Sequence, residues 1–300
     1  MPRSAEEQLP FLSSHKKTTL VRAKEESKLT KEEWKEFTKS VWQIANVSHE
    51  DHPAVFPQEI PHRLIKLFSM VGEVVLDPFC GTGTTGVAAL NLKRHFVGAD
   101  SSAAYVKIAN RGLSSILAET QFSVSRIDAR RLSNIPNGSV DLIITSPPYW
   151  NKADYEHNSF NLGCLDQYNK FLVGMRDAFR EMYRVMRDGR RVCIVTANVN
   201  QYSEHGLLTF PIASDYVKLM QEVGFYIVNE IVWSKDKTGG EWGSFGRQRP
   251  ILAATHTLLI SISRTSTNTS SSFENRRLPR QRGPSFMSYL GINLRFHPHC

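Results

Sequence analysis

Residues 74–92 impose the strongest constraint on the fold. Val74-Val75-Leu76-Asp77 is a short, β-branched apolar run of the kind that makes a buried strand. It passes directly into Pro78-Phe79-Cys80-Gly81-Thr82-Gly83-Thr84-Thr85-Gly86, and Val87 to Leu92 continues as a helix. Strand, glycine-rich turn and helix in immediate succession open an α/β unit, and the rest of the chain repeats the alternation.

A second strand, Phe96 to Ala99, ends in Asp100 and precedes a helix from Ala103 to Leu117. A third, Phe122 to Ser125, ends close to Asp128, and a fourth covers Val140 to Thr145. A long helix over Leu165–Met186 leads through Asp188-Gly189 to a fifth strand, Arg191 to Thr196. Leu207 to Val223 reads as helix, and Phe225–Trp233 and Thr257–Ser263 as two final strands around a loop holding Gly239, Gly240, Gly243 and Gly246. This alternation predicts a doubly wound, mostly parallel sheet of seven strands. The last two strands have no helix between them, so an antiparallel pair at one edge is expected.

Before this core, residues 1–28 are polar, of mixed charge, and read as a flexible arm. Thr30 with Glu33 is a capping-box pattern, followed by Trp34, Phe37, Val41 and Ile44 at helical spacing. A loop rich in His and Pro spans 46–57, and a helix from Gln58 to Met70 buries Ile60, Leu64, Ile65 and Phe68. After residue 263 the chain turns Ser/Thr-rich, then Arg-rich at Arg276, Arg277, Arg280 and Arg282. Residues 264–300 are expected to be a mobile basic tail, which leaves 29–263 as the main domain.

The net charge of +8 favours an acidic partner, nucleic acid first. The four cysteines form no C-x-x-C pair, so neither a zinc site nor a disulfide framework is expected. No metal, no membrane span and a reduced, cytoplasmic location follow as expectations, since no signal peptide or long apolar run is visible.

Gly81-Thr82-Gly83-Thr84-Thr85-Gly86 fits G-x-G-x-x-G, which is also the dinucleotide fingerprint. Asp77 discriminates. A carboxylate four residues before the first glycine repels a pyrophosphate and suits a ligand carrying ammonium or sulfonium, such as S-adenosylmethionine. A P-loop is excluded, because no Lys-Ser/Thr follows the last glycine. The glycines let the backbone approach the ligand closely. Asp100 would accept from ribose hydroxyls, and Asp128 would meet the adenine amine. Read alone, each Asp is equally a helix cap or loop residue; three acidic strand ends on one sheet edge favour a cofactor site.

The fourth strand stops abruptly at Ser146-Pro147-Pro148-Tyr149. The two prolines lack N–H groups and fix both φ angles, leaving carbonyls facing the strand end. A hydroxyl before them and an aromatic ring after them suit a planar ring bearing an exocyclic amine. Ser146 Oγ and the Pro147 carbonyl would accept from the amine, and Tyr149 would stack. The bland reading is a rigid corner with a packed tyrosine. Trp150 either lines this pocket with Asn151–Tyr155 or packs beneath the loop.

Asp77-Pro78-Phe79-Cys80-Gly81-Thr82-Gly83-Thr84-Thr85 together with Ser146-Pro147-Pro148-Tyr149 resembles the amino-group DNA methyltransferases, especially the N4-cytosine type. His52-Pro53-Ala54-Val55-Phe56-Pro57 is similar to that family's cofactor-flanking motif, with Pro53 and Phe56 beside the cofactor, in an order like the gamma group. The resemblance implies S-adenosylmethionine as cofactor, a seven-stranded Rossmann-like sheet with an antiparallel last strand, and double-stranded DNA as substrate. It also implies a restriction-modification role beside a cognate endonuclease. Asp100 stands where relatives often have Glu. C5 chemistry is disfavoured because there is no Pro-Cys dipeptide. The rival readings are an N6-adenine enzyme, an RNA or protein-glutamine methyltransferase, a catalytically silent DNA- or cofactor-binding protein, and an NAD oxidoreductase.

Overall fold

The computed structural model describes residues 11, 20–45, 56–150, 162–165, 167–203, 206–234 and 257–263. Of the expected arm, Leu20–Glu26 (α1) is helical, and Ser27 Oγ accepts from the Val71 amide at 2.8 Å. Helix α2, Lys31–Phe37, opens with the expected capping box: Thr30 Oγ1 accepts from the Glu33 amide and Glu33 Oε2 from the Thr30 amide.

That helix stops at Phe37, short of the predicted Ile44, and Val41–Gln43 is instead strand β1. Trp42 and Ile44 are buried while Val41 is exposed. This is the two-residue alternation of a strand, and it fits these positions as well as the helical spacing does. Helix α3, Glu59–Phe68, buries Ile60, Leu64 and Ile65 as expected.

The core follows as β2 (Val74–Asp77), α4 (Thr84–Asn91), β3 (His95–Asp100), α5 (Ala103–Ser114), β4 (Phe122–Arg126), β5 (Val140–Thr145), α6 (Tyr168–Val185) and β6 (Met186–Thr196). Gly189, at φ 74°, lies within β6, so Asp188-Gly189 is an irregularity inside a long strand and not the turn before it. The predicted helix over 207–223 is also divided. Val199–Ser203 (β7) and Gly206–Phe210 (β8) pair as an antiparallel hairpin, and helix α7 covers only Ile212–Val223. The last strands are β9 (Tyr226–Ser234) and β10 (Thr257–Ser263).

The main sheet runs β1-β9-β10-β6-β5-β2-β3-β4. It has eight strands among the described residues, not seven, because β1 adds in parallel to β9. Five neighbours, β6-β5-β2-β3-β4, are parallel. The expected antiparallel pair exists but lies inside the sheet, since β10 pairs antiparallel with both β9 and β6.

Both faces are covered, which explains the near-continuous apolar runs of the central strands. One core joins Val74, Leu76 and Ile143 to Phe171, Phe179 and Met182 of α6 and Ile212, Tyr216 and Met220 of α7. The other joins Val75, Leu142 and Ile144 to residues of α3, α4 and α5. Asp141, buried in the middle of an apolar run, is a structural acid. Its Oδ2 accepts from the Val74 amide, and Arg187 and Arg190 neutralise it. No helix among the described residues is long and apolar enough to cross a membrane.

Candidate active site

Because β2, β3, β4 and β5 are parallel, their carboxyl ends share one sheet edge. Asp77, Asp100, Thr145 and Ser146 therefore meet there, with Asp128 two residues beyond β4. This is the edge at which doubly wound sheets bind ligands.

Asp77 is almost fully buried, and its carboxylate organises the edge. Oδ1 accepts from Thr145 Oγ1 at 2.6 Å and from the Phe79 amide at 3.1 Å; Oδ2 accepts from Thr85 Oγ1 at 2.7 Å. Burial raises its pKa to about 6, against the pull of these three donors and with a push from the Asp100 charge. A fixed anion beneath the loop suits a cationic ligand above it, although Asp77 itself is too enclosed to be the ligand's main contact.

The loop is tied to β3. The Cys80 amide donates to the Ala99 carbonyl at 2.9 Å, and the Gly81 amide donates to Asp100 Oδ2 at 2.9 Å. Asp100 Oδ1 accepts from the Ser102 amide, so this acid also starts α5. Gly83 caps α4 at φ 93°, a left-handed conformation that favours glycine. At Gly86 a Cβ would lie 2.6 Å from the Phe96 ring, so a side chain would push α4 off β3. Burial and the charges of Asp100 and Asp77 push the Cys80 thiol well up, which makes it an unreactive packing residue.

Three other expected cofactor residues lie outside this loop in sequence. Asp128 is engaged by Arg130, whose Nε lies 3.0 Å from both carboxylate oxygens. Phe56 is buried in the core on the α3 side, and Pro53 lies outside the described residues. Pro78, Thr82 and Thr84 lie in or beside the loop between β2 and α4, as expected.

At the end of β5 the Ser146 and Tyr149 hydroxyls lie 3.3 Å apart, and burial pushes the Tyr149 phenol up. The two carbonyls expected to be open differ. That of Pro148 accepts from the Tyr216 hydroxyl at 3.1 Å, while no partner for that of Pro147 is found among the described residues. Trp150 is packed inward. It is 1% exposed, donates from Nε1 to the Leu165 carbonyl at 2.7 Å, and sits against Tyr168 and Phe210. Residues 151–155 lie outside the described residues.

Sequence reasoning missed Thr145 and Tyr216. Thr145 had a signal, as the polar end of an apolar run facing a buried acid. Tyr216 had none, because the residue that reaches Pro148 lies 68 positions away. Among the described residues no group of His, Cys, Asp or Glu is arranged to hold a metal ion.

The sequence profile of the N6/N4-type DNA methylases matches residues 3–111 and 140–282, which takes in both the Asp77 loop and the Ser146 turn. The chain belongs to this family of DNA methylases. Among similar curated proteins, the Type II methyltransferase M.BglI of Bacillus subtilis is 39% identical over 103 residues, 34% of this chain and 30% of that protein. The DNA adenine methyltransferase YhdJ of Escherichia coli K12 is 30% identical over 105 residues, 33% of this chain and 36% of that one. These matches thus span about a third of each relative's length. A Thermus thermophilus protein solved with S-adenosyl-L-methionine is 26% identical, covering 46% of this chain and 51% of that one, with a TM-score of 0.35.

Proposed function

We propose that this methylase transfers a methyl group to the exocyclic N4 amine of a cytosine flipped out of double-stranded DNA, in a restriction-modification setting. The observation that carries the reading is the Thr145–Asp77 hydrogen bond. It ties the strand ending in Ser-Pro-Pro-Tyr to the strand ending in the glycine loop, so that an amine held by one adjoins a ligand held by the other.

The cofactor is S-adenosyl-L-methionine, which supplies an electrophilic methyl group on a sulfonium. Gly81 and Gly83 admit it close to the backbone, Asp100 receives its ribose, and Asp77 supplies the negative potential that favours a cation. Phe79 and Cys80 wall the loop. Asp128, already held by Arg130, is the weakest of these assignments.

A cytosine amine is a poor nucleophile because its lone pair is delocalised into the ring. Ser146 Oγ and the Pro147 carbonyl accept its hydrogens, which favours a pyramidal nitrogen with the lone pair turned to the methyl group. As the N–CH3 bond would form and the S–CH3 bond break, with neutral S-adenosylhomocysteine leaving, these preorganised acceptors would stabilise the positive charge on that nitrogen, which then sheds one of its hydrogens to solvent as a proton. Base extrusion costs a few kcal/mol, and stacking on Tyr149 returns roughly 1–3 kcal/mol. Both enclosed cysteines among the described residues, Cys80 and Cys193, are packing residues, so no thiolate attack is invoked.

N6-adenine is the second reading, favoured by the similarity to an enzyme named as an adenine methyltransferase. Serine before Pro-Pro-Tyr, where adenine relatives usually carry Asp or Asn, weighs against it. Nucleoside mass spectrometry of unmethylated DNA incubated with the protein and labelled cofactor separates the two. N4-methylcytosine is expected. N6-methyladenine would overturn the base assignment, and no methylated base with cofactor still bound would overturn DNA methylation itself.

A further inference from the structure

We infer that Tyr216 is a positioning residue for methyl transfer: its hydroxyl, by holding the Pro148 carbonyl, aims the neighbouring Pro147 carbonyl at the target amine. The inference rests on the reading above and adds a residue from a helix that carries none of the sequence motifs.

The turn Ser146–Tyr149 is poor in ways of holding itself. Neither proline has an N–H to donate, so the direction of its peptide planes depends on what its carbonyls meet. The Pro148 carbonyl meets Tyr216 Oη at 3.1 Å. One soft dihedral separates that carbonyl from the one before it. Peptide units are planar, and the proline ring fixes φ at Pro148, so ψ at Pro148 alone sets the angle between the two carbonyls. Anchoring the second carbonyl to α7 therefore orients the first. The same peptide plane carries the Tyr149 amide, so the anchor also sets the base of the stacking ring.

The anchor itself is well placed. Tyr216 is fully buried, with Phe179 edge-on at 5.3 Å and Phe171 at 6.2 Å. The first turn of α7, just ahead of Tyr216, is held at two points. The Ala213 amide donates to Asn198 Oδ1 at 3.2 Å, and Asp215 accepts from the Tyr168 hydroxyl of α6. Of these two tyrosine hydroxyls in the aromatic cluster, one serves the turn and the other serves Asp215, which provides a matched control.

Tyr216→Phe keeps the ring and deletes only the hydroxyl. Two readouts apply: amide hydrogen exchange at Tyr149 and Trp150, and single-turnover methyl transfer to DNA. Tyr216→Phe should speed exchange at both amides and slow transfer about ten-fold, within the range seen when reacting groups are slightly misplaced. The dissociation constant of S-adenosylmethionine should stay at the wild-type value. Tyr168→Phe, whose deleted hydroxyl touches Asp215 and not the turn, should change exchange and transfer far less than Tyr216→Phe does. Unchanged exchange in Tyr216→Phe, or an equal loss in Tyr168→Phe, overturns the inference. If the wild-type protein methylates no DNA, the proposed function has failed, and the exchange arm still decides whether Tyr216 holds the turn.

Discussion

Thr145 Oγ1 donates a 2.6 Å hydrogen bond to Asp77 Oδ1, joining the last residues of two adjacent parallel strands that lie 68 positions apart in sequence. One residue after Thr145 the Ser-Pro-Pro-Tyr turn begins, and one after Asp77 the glycine loop begins. The bond links the two halves of the candidate site directly.

Thr145→Val, nearly isosteric, should therefore cost about 1–3 kcal/mol of unfolding free energy, the worth of one hydrogen bond to a buried carboxylate, with the Phe79 amide still on Oδ1. Urea unfolding at pH 7 measures it. The hydroxyl also favours the charged carboxylate, so in this variant Asp77 should titrate at a still higher pH than in the wild type.

Asp77 should give the protein a distinctive pH response. Its pKa rises from 3.8 to about 6 on folding, chiefly through burial. The folded state thus binds the proton more tightly than the unfolded chain. The contribution to stability is full below pH 3.8 and is lost as pH climbs through about 6. At about 1.4 kcal/mol per unit this amounts to roughly 3 kcal/mol. Binding of the cationic cofactor runs the other way, since it favours the ionised form, and should tighten as pH rises from 5 to 7. Calorimetric titrations of wild type and Asp77→Asn check both signs, because the variant should lose both dependences.

The two ends of the site should separate kinetically. Ser146→Ala is expected to lower single-turnover methyl transfer by about 10²-fold, comparable to deleting one preorganised hydrogen-bonding group at a reacting centre, with cofactor affinity intact. Asp100→Ala should instead raise the cofactor dissociation constant, by about ten-fold for a lost charge-assisted hydrogen bond. Fluorescence binding and rapid-quench assays on both variants would expose a reversal.

Gly86→Ala places a methyl group 2.6 Å from one Phe96 ring carbon and 3.0 Å from Leu113 Cδ1. Overpacking of this kind should destabilise by about 1–3 kcal/mol. Adding Phe96→Leu should recover part of the loss in thermal melts, since the obstruction is the ring and not the backbone.

The sheet edge was legible in the sequence because each of its parts is a local pattern. The run Val74–Asp77 with its glycines, Asp100 after Phe96–Ala99, and the double proline at Ser146–Tyr149 each announce a strand end within a few residues. What was illegible depends on pairing across the fold. Val41 and Ile44 satisfy a helical spacing, and only pairing with Val232–Ser234 makes their segment a strand. Leu207–Phe210 continues the apolar pattern of α7, yet Gly206, at φ 95°, lets it fold back on β7. Trp150 adjoins the turn in sequence, but the aromatic cluster of Tyr168 and Phe210 draws it inward. Tyr216 is one apolar-face residue of a helix until the Pro148 carbonyl is placed beside it.

The strand order also dictates a schedule. Among the described residues β1 pairs only with β9, and β9 reaches β6 only through β10. A ribosome emits Val41–Gln43 long before Tyr226–Ser263, at roughly 5–20 residues per second. The early segment must therefore wait on nearly the whole chain before its slot in the sheet exists. The parallel strands from β2 to β6 can assemble meanwhile around the Asp77–Thr145 bond. Both halves of the candidate site can then be in place while the far side of the sheet is still open, and β10 is the piece that closes it.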